Sequence, residues 1–186
     1  ALQNTLNHYK TLSPHYAYSS SLGDKSAQDV RMVSIPSIFY GSSIEKGSVS
    51  LKFYITGTLA AELQDINKNG ELIQVSGSAT DLGSTYGSGS VAGVVLYNEG
   101  FVVLTGSWSL DPVHRDAYTG LSVDQPPRWI DYGQTLTQAS GQNHARSVTS
   151  SAWQLSYKGV NYIPVLTMMA HAPKGMFNHS NNPTYK

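Results

Sequence analysis

The chain alternates between polar, glycine-rich stretches and short apolar runs. The clearest pattern spans residues 48–58. There Val49, Leu51, Phe53 and Ile55 fall on one face, and Ser48, Ser50, Lys52, Tyr54 and Thr56 on the other. A period of two sends successive side chains to opposite faces, so this spacing predicts a half-buried strand. Residues 59–64 read as its continuation past Gly57. Asp65-Ile66-Asn67-Lys68-Asn69-Gly70 is a polar turn, and its Asn-Gly pair tolerates positive φ, which predicts a hairpin to a returning strand at 71–76. Residues 91–97 are almost wholly apolar, turn at Asn98-Glu99-Gly100 and return at 101–105. A hairpin apolar on both faces belongs at the centre of a core. Val94, Leu96, Val102 and Leu104 are therefore predicted to be among the most buried residues.

The rest of the chain is less regular. Residues 30–40 predict a strand interrupted where Pro36 removes a donor. Gly41-Ser42-Ser43 and Glu45-Lys46-Gly47 are turns, and residues 77–90 form a loop rich in Gly, Ser and Thr. Residues 106–110 extend the second apolar strand with Trp108. Residues 111–150 form a long irregular excursion anchored by Trp129, Ile130 and Tyr132. Residues 152–157 and 160–172 predict the last two strands. Residues 1–29 sustain neither helical nor strand period; they predict an extended arm or loop with a short helical turn near its start. Roughly eight short strands and no long helix predict an all-β fold, an antiparallel β-sandwich with extended N- and C-terminal arms. The expected organisation is an N-terminal arm (1–29), a sandwich domain (30–172) carrying the excursion 111–150, and an extended C-terminal segment (173–186) that continues into a longer parent chain.

Composition narrows the function classes. Of 186 residues only 13% are charged, with 12 Lys+Arg against 12 Asp+Glu. The 25 Ser alone outnumber the charges, so the surface is built from neutral polar groups. Such surfaces suit packing against other protein or neutral sugars. Nucleic-acid binding lacks the basic excess that neutralises phosphates. Membrane binding lacks a Lys/Arg cluster, and no apolar run approaches the roughly 20 residues of a spanning helix. Without cysteine there are no disulfides or thiolate metal sites. The chain starts at Ala1 without a signal-peptide pattern, and both ends read as cut, as in a processed product or a piece of a longer chain.

Motifs for chemistry are weak. Asp65-x-Asn67-x-Asn69-Gly70 matches the first half of a calcium loop, but the twelfth position is Ser76 rather than Glu, and a hairpin turn explains the same residues. The six histidines, at 8, 15, 114, 144, 171 and 179, include no pair at metal-ligand spacing, although His171 and His179 flank a Pro/Gly turn and could converge. There is no Gly-x-Ser-x-Gly, no visible pair of opposed carboxylates, and Gly87-Ser88-Gly89-Ser90 opens a strand rather than a helix. Trp108, Trp129, Trp153 and the 12 Tyr fit either a sugar-stacking platform or, as we favour, core and subunit contacts. Asn178-His179-Ser180 fits a glycosylation acceptor formally.

Several stretches resemble large virion structural proteins of tailed marine bacteriophages, especially those of cyanobacteria. They are residues 34–54 (SIPSIFYGSSIEKGSVSLKFY), Asn69-Gly70-Glu71-Leu72-Ile73-Gln74, residues 89–104 (GSVAGVVLYNEGFVVL), Thr105-Gly106-Ser107-Trp108, Ala172-Pro173-Lys174-Gly175 and Asn178-His179-Ser180-Asn181-Asn182-Pro183-Thr184-Tyr185. Together they cover roughly half the chain in the family's order. The resemblance implies a non-enzymatic component of the virion, from its tail, baseplate or fibre region, and brings no catalytic, cofactor or metal residues with it. The expected partners are other virion proteins, including further copies of the chain, with no nucleic acid or membrane. The alternative is a carbohydrate- or host-receptor-binding module of a fibre.

Ordering a residue costs about 1–2 kcal/mol of backbone entropy, and the ends offer few periodic apolar residues to offset it within their own domain. They do carry spaced anchors: Leu2, Leu6, Tyr9, Tyr16 and Tyr18 at one end, Met176, Phe177 and Tyr185 at the other. These are expected to dock outside the 30–172 body, on a neighbouring subunit or the rest of the parent chain.

Overall fold

The computed structural model describes residues 2–77, 86–111, 125–134, 151–169 and 174. It is mostly β. One helix, α1 (Leu2–Tyr9), precedes strands β1 (Ser19–Ser20), β2 (Gly23–Asp24), β3 (Arg31–Ser34), β4 (Ser43–Ile44), β5 (Ser50–Ile55), β6 (Thr58–Gln64), β7 (Glu71–Ser76), β8 (Val91–Leu96), β9 (Phe101–Leu104), β10 (Ser151–Ser156) and β11 (Gly159–Val160). Seven strands form one sheet in the order β10-β5-β6-β7-β8-β9-β3, antiparallel throughout. The pairs β1–β2 and β4–β11 form two small sheets.

The large sheet curls into a half-barrel. Its register shifts at three successive pairings, between Phe53 and Tyr54, Glu62 and Leu63, and Leu72 and Ile73. Each extra residue bends its strand and raises the local twist, which curls the sheet. Among the described residues the other two sheets are two-stranded, so the expected antiparallel all-β class is present while the arrangement is not clearly a sandwich. A buried cluster including Leu51, Phe53, Leu63, Leu72, Val95, Val102, Leu104 and Trp129 forms the main core. A second cluster joins Val94, Leu96 and Val103 to Leu6, Tyr9 and Tyr16. The β8–β9 hairpin is thus buried on both faces, as its unbroken apolar run predicts, with Val94, Leu96, Val102 and Leu104 all in the interior.

Two strand expectations are corrected. Residues 59–64 do not continue β5 in line. The chain reverses, pairing Ile55 with Thr58 around Thr56 (φ 49°) and Gly57 (φ 80°). Two consecutive positive φ values match the right-handed strand twist in a two-residue hairpin. Residues 161–169 do not form a strand either, and 170–172 lie outside the described residues. Only Gly159 and Val160 pair, with Ile44 and Ser43, and residues 161–169 carry no strand pairing.

Of the excursion, 112–124 and 135–150 lie outside the described residues. Its described part supplies a one-turn helix, Trp129–Asp131, that packs Trp129 into the main core with Ile130 buried and Tyr132 against its margin. Asp131 is buried and takes two bonds from the Arg128 guanidinium, at 2.9 and 3.1 Å, which fix this turn.

Candidate interaction surface

The N-terminal segment is the first place to look for contact residues, and it is already occupied. Helix α1 presents Leu2, Leu6 and Tyr9 at spacings of four and three, one helical face. Leu6 is fully buried, Tyr9 is buried, and Leu2 packs partly against the same cluster. A short turn, Pro14–Tyr16, is capped by Ser13, whose Oγ accepts from His15 N at 3.0 Å, and it drops Tyr16 into full burial. Tyr9 and Tyr16 stack with centroids 5.5 Å apart. Tyr18 lies partly buried at the edge. The expectation that residues 1–29 owe their order to contacts outside the body therefore fails for these anchors. They pack on Val94, Leu96 and Val103 of the body itself, and hydroxyl bonds accompany that packing at Tyr9, Tyr16 and neighbouring Ser13. The Tyr9 hydroxyl donates to Glu99 Oε2 at 2.8 Å and accepts from Asn98 Nδ2 at 3.1 Å. The Tyr16 hydroxyl donates to Val95 O, and the Ser13 hydroxyl to Glu71 Oε1. Met176, Phe177 and Tyr185 lie outside the described residues.

The turn at 65–70 explains its own composition. Asp65 is buried, its Oδ2 accepting from Gly47 N at 2.8 Å and from the Tyr97 hydroxyl, its Oδ1 from Gly70 N at 3.1 Å. Asn69 Oδ1 caps Glu71 N at 3.1 Å, and Asn67 Nδ2 donates to Glu71 Oε2 at 3.3 Å. The Asp65 carboxylate and Asn69 Oδ1, which a calcium loop would turn toward a cation, accept from backbone and hydroxyl donors here. Gly70, at φ 88°, also lies where a Cβ would collide with the Tyr16 hydroxyl, so this turn and the N-terminal cover fit only with glycine there. Among the described residues no three His, Cys, Asp or Glu side chains gather as a metal-ligand set. Four of the six histidines, at 114, 144, 171 and 179, lie outside the described residues.

Burial dominates the ionisation of this region. The Tyr9 hydroxyl is pushed up to about 12 by desolvation and by its bond to Glu99. Tyr16 is raised by desolvation and by the Asp65 charge, and Tyr97 by desolvation and by its bond to Asp65. For Glu71 desolvation acts upward, but the bonds from Ser13, Asn69 and Asn67 outweigh it and the carboxyl is lowered.

The tryptophans point inward. Trp108 and Trp129 both donate their indole N–H to Oε1 of the buried Gln74, at 2.8 and 3.0 Å. Trp153 packs on Phe53, Trp129 and Tyr132. Tyr86 is an aromatic that reaches the surface beside this core. It is 59% exposed, stacks on Trp108 at 5.6 Å, and borders a groove of about 400 Å³ lined also by His15, Lys25, Gln28, Val91 and Thr105. Lys25 there is committed to structure, its ammonium donating to His15 O at 2.9 Å and Ala17 O at 2.6 Å.

The exposed apolar surface lies elsewhere. Residues 161–169 leave the body after Val160, whose carbonyl accepts from Ser42 N at 3.0 Å. Tyr162 N donates to Ser42 Oγ at 3.1 Å, and its hydroxyl lies 3.5 Å from Ser43 Oγ. Tyr162, Ile163, Val165, Leu166, Met168 and Met169 are then 70–97% exposed. Just upstream of the attachment point, the turn Ser37–Phe39 exposes Ile38 at 86% and Phe39 at 67%. Sequence reasoning took both stretches for strands. An apolar run has the same pattern whether or not a partner covers it, so the signal that would have separated them was the pair of prolines, Pro36 and Pro164, each removing a ladder donor. Comparison with family models, with curated proteins and with solved structures gives no match for this chain.

Proposed function

We propose that the chain is a non-catalytic structural subunit of a bacteriophage particle, in its tail, baseplate or fibre region, assembling through protein–protein contacts. The assignment to a virion rests on the sequence resemblance. The observation that carries the assembly role is the run at 162–169, with six large apolar side chains standing in water. Contiguous exposed apolar surface of this kind marks contact sites, because leaving it hydrated is unfavourable. The neutral surface, with 13% charged residues, suits close packing between subunits. The test is labelling of purified particles from the encoding phage with antibody raised to this chain. Discrete labelling at one part of the particle is expected. A chain found in infected-cell lysate but absent from washed particles would overturn the reading.

A second reading, a carbohydrate-binding module of a fibre, is favoured by Tyr86 beside its groove. An aromatic face next to neutral polar groups suits a sugar ring. Against it, the three tryptophans that would build a platform are engaged with the core and with Gln74. A glycan-array signal lost in Tyr86→Ala would promote this reading over the first.

A further inference from the structure

We propose that the groove between Tyr86 and Lys25 binds an acidic oligosaccharide, with a sugar ring on the Tyr86 face and the anionic group on the Lys25 ammonium. The proposal rests on the second reading above, carbohydrate binding, and deepens it by naming the charge and the length of the sugar.

Three pieces of chain meet at this groove: the β8–β9 hairpin, the segment from β1 to Gln28, and residues 86–90. Its volume of about 400 Å³ lies within the roughly 300–1,000 Å³ of small-molecule sites.

Its charge is unbalanced. Lys25 is half-buried, and its two carbonyl bonds fix the ammonium while using two of its three N–H donors. Among the described residues no carboxylate pairs with Lys25, and none lines the groove. The neighbouring Asp24 is turned away to Ser26, accepting from its N at 3.0 Å and its Oγ at 2.7 Å. Burial lowers the Lys25 pKa, with no acid acting against it. Charge taken out of water is stabilised by pairing, and a pre-positioned ammonium makes its strongest hydrogen bond to an anion. The chain's equal totals of acids and bases hide this local excess.

The other groups suit a sugar. Tyr86 is steadied by its stack on Trp108 and keeps 59% of its surface exposed. The Gln28 side-chain amide lines the groove and makes no hydrogen bond among the described residues. It offers two donors and an acceptor to ring hydroxyls. A second groove of about 300 Å³ shares Leu22, Gln28 and Tyr86 with the first and continues to Ser107 and Trp108. Tyr86 and Gln28 thus stand between two adjoining spaces, and a ligand lying across both has at least two rings.

The experiment is calorimetric titration of the full chain with tri-galacturonate, with its methyl ester and with a sulfated galactose trisaccharide. At least one of the two acidic sugars should bind, and which of them does so identifies the anion as carboxylate or sulfate. The methyl ester, which has the same rings without the charge, should bind about tenfold to a hundredfold more weakly than an acidic sugar. Lys25→Met should bring acid binding down to the level of the ester, Lys25→Arg should retain most of it, and Tyr86→Ala should weaken acid and ester alike. Circular dichroism melts check that each variant is folded; should Lys25→Met fail to fold, the comparison of acid with ester on the unsubstituted chain still decides. An ester bound as tightly as the acids, or acid binding unchanged in folded Lys25→Met, overturns the proposal and leaves carbohydrate binding standing. Absence of binding by all three sugars overturns both.

Discussion

Residues 2–18 and residues 162–169 both lie outside the seven-stranded sheet, and both carry several large apolar side chains. The first segment closes over β8 and β9, with Leu6, Tyr9 and Tyr16 buried; the second stands in water. Hydrophobicity alone does not separate them, since attraction between apolar surfaces has no direction. Their polar contacts differ. In the first segment the anchors Tyr9 and Tyr16, with Ser13, end in hydroxyls that meet Glu99, Val95 O and Glu71. In the second, Tyr162 is tied to Ser42 and Ser43, and the residues beyond it are exposed. In the first segment hydroxyl bonds accompany burial on the chain's own body, whereas Tyr162 keeps its hydroxyl contact while 70% exposed.

The largest expected effect tests the buried side. Leu6→Ala removes a fully buried side chain from the small cluster around Val94, Leu96 and Val103, and should cost roughly 2–5 kcal/mol in denaturant unfolding. Leu96→Ala, on the opposite side of that cluster, should fall in the same range. A loss for Leu6 well below that for Leu96 would mean that the N-terminal cover opens independently of the sheet, and the comparison would weaken.

The second effect is pH dependence. Tyr9, Tyr16 and Tyr97 have hydroxyls raised above the ordinary tyrosine value of about 10. A group whose folded pKa is raised stabilises the fold fully below its unfolded pKa and loses that contribution as pH climbs toward the folded one. Stability should therefore hold up to about pH 10 and then fall by about 1.4 kcal/mol per pH unit for each tyrosine held protonated. Glu71, lowered in the folded state, acts at the other limb: its contribution is present above the ordinary carboxyl range and fades as pH drops through it. Tyrosinate absorbance checks the alkaline limb. These tyrosines should ionise only as the chain unfolds, and free titration of all 12 near pH 10 would contradict their burial.

How much of this was legible depends on whether the local pattern names its partner. The alternation of Val49, Leu51, Phe53 and Ile55 appears in β5 as an alternating burial pattern, and the apolar run at 91–97 lies buried on both faces. The helical turn at Leu2–Tyr9 was visible too, but its destination was not, because Leu2, Leu6 and Tyr9 do not reveal that Glu99 and Asn98 wait to receive a hydroxyl. The reversal at Thr56-Gly57 was hidden by a threonine at positive φ, a conformation β-branched residues rarely adopt. Gln74 read as an ordinary strand position, although it takes both Trp108 and Trp129 from distant segments. Residues 162–169 are the converse: their composition predicts burial, and nothing local says where.

A smaller effect sharpens the role of the hydroxyls. Tyr16→Phe keeps the ring stacked on Tyr9 and removes only the bond to Val95 O. Leaving that strand carbonyl one partner short should cost about 1 kcal/mol. Proteolysis of the N-terminal segment under native conditions should also rise more than global unfolding does. A cost indistinguishable from zero, with unchanged protease resistance, would show that ring burial alone holds the cover and that the hydroxyl does not set its register.

The smallest expected effect falls on the exposed segment. Leu166→Ser replaces a leucine that is 84% exposed. Its side chain has almost no packing to lose in the folded monomer, and surface substitutions away from caps, cores and networks stay within about 0.5 kcal/mol. Urea unfolding at a concentration low enough to keep the chain monomeric should therefore superimpose on that of the unsubstituted chain, with the same midpoint and slope. The curves should part only in the presence of a partner that covers this run, because a partner that binds only the folded state adds stability that grows with its concentration. The same substitution thus separates intrinsic stability from association. A Leu166→Ser chain already destabilised by 2 kcal/mol or more at low concentration would place residue 166 in the chain's own core, as Leu6 is, and would end the contrast between the two segments.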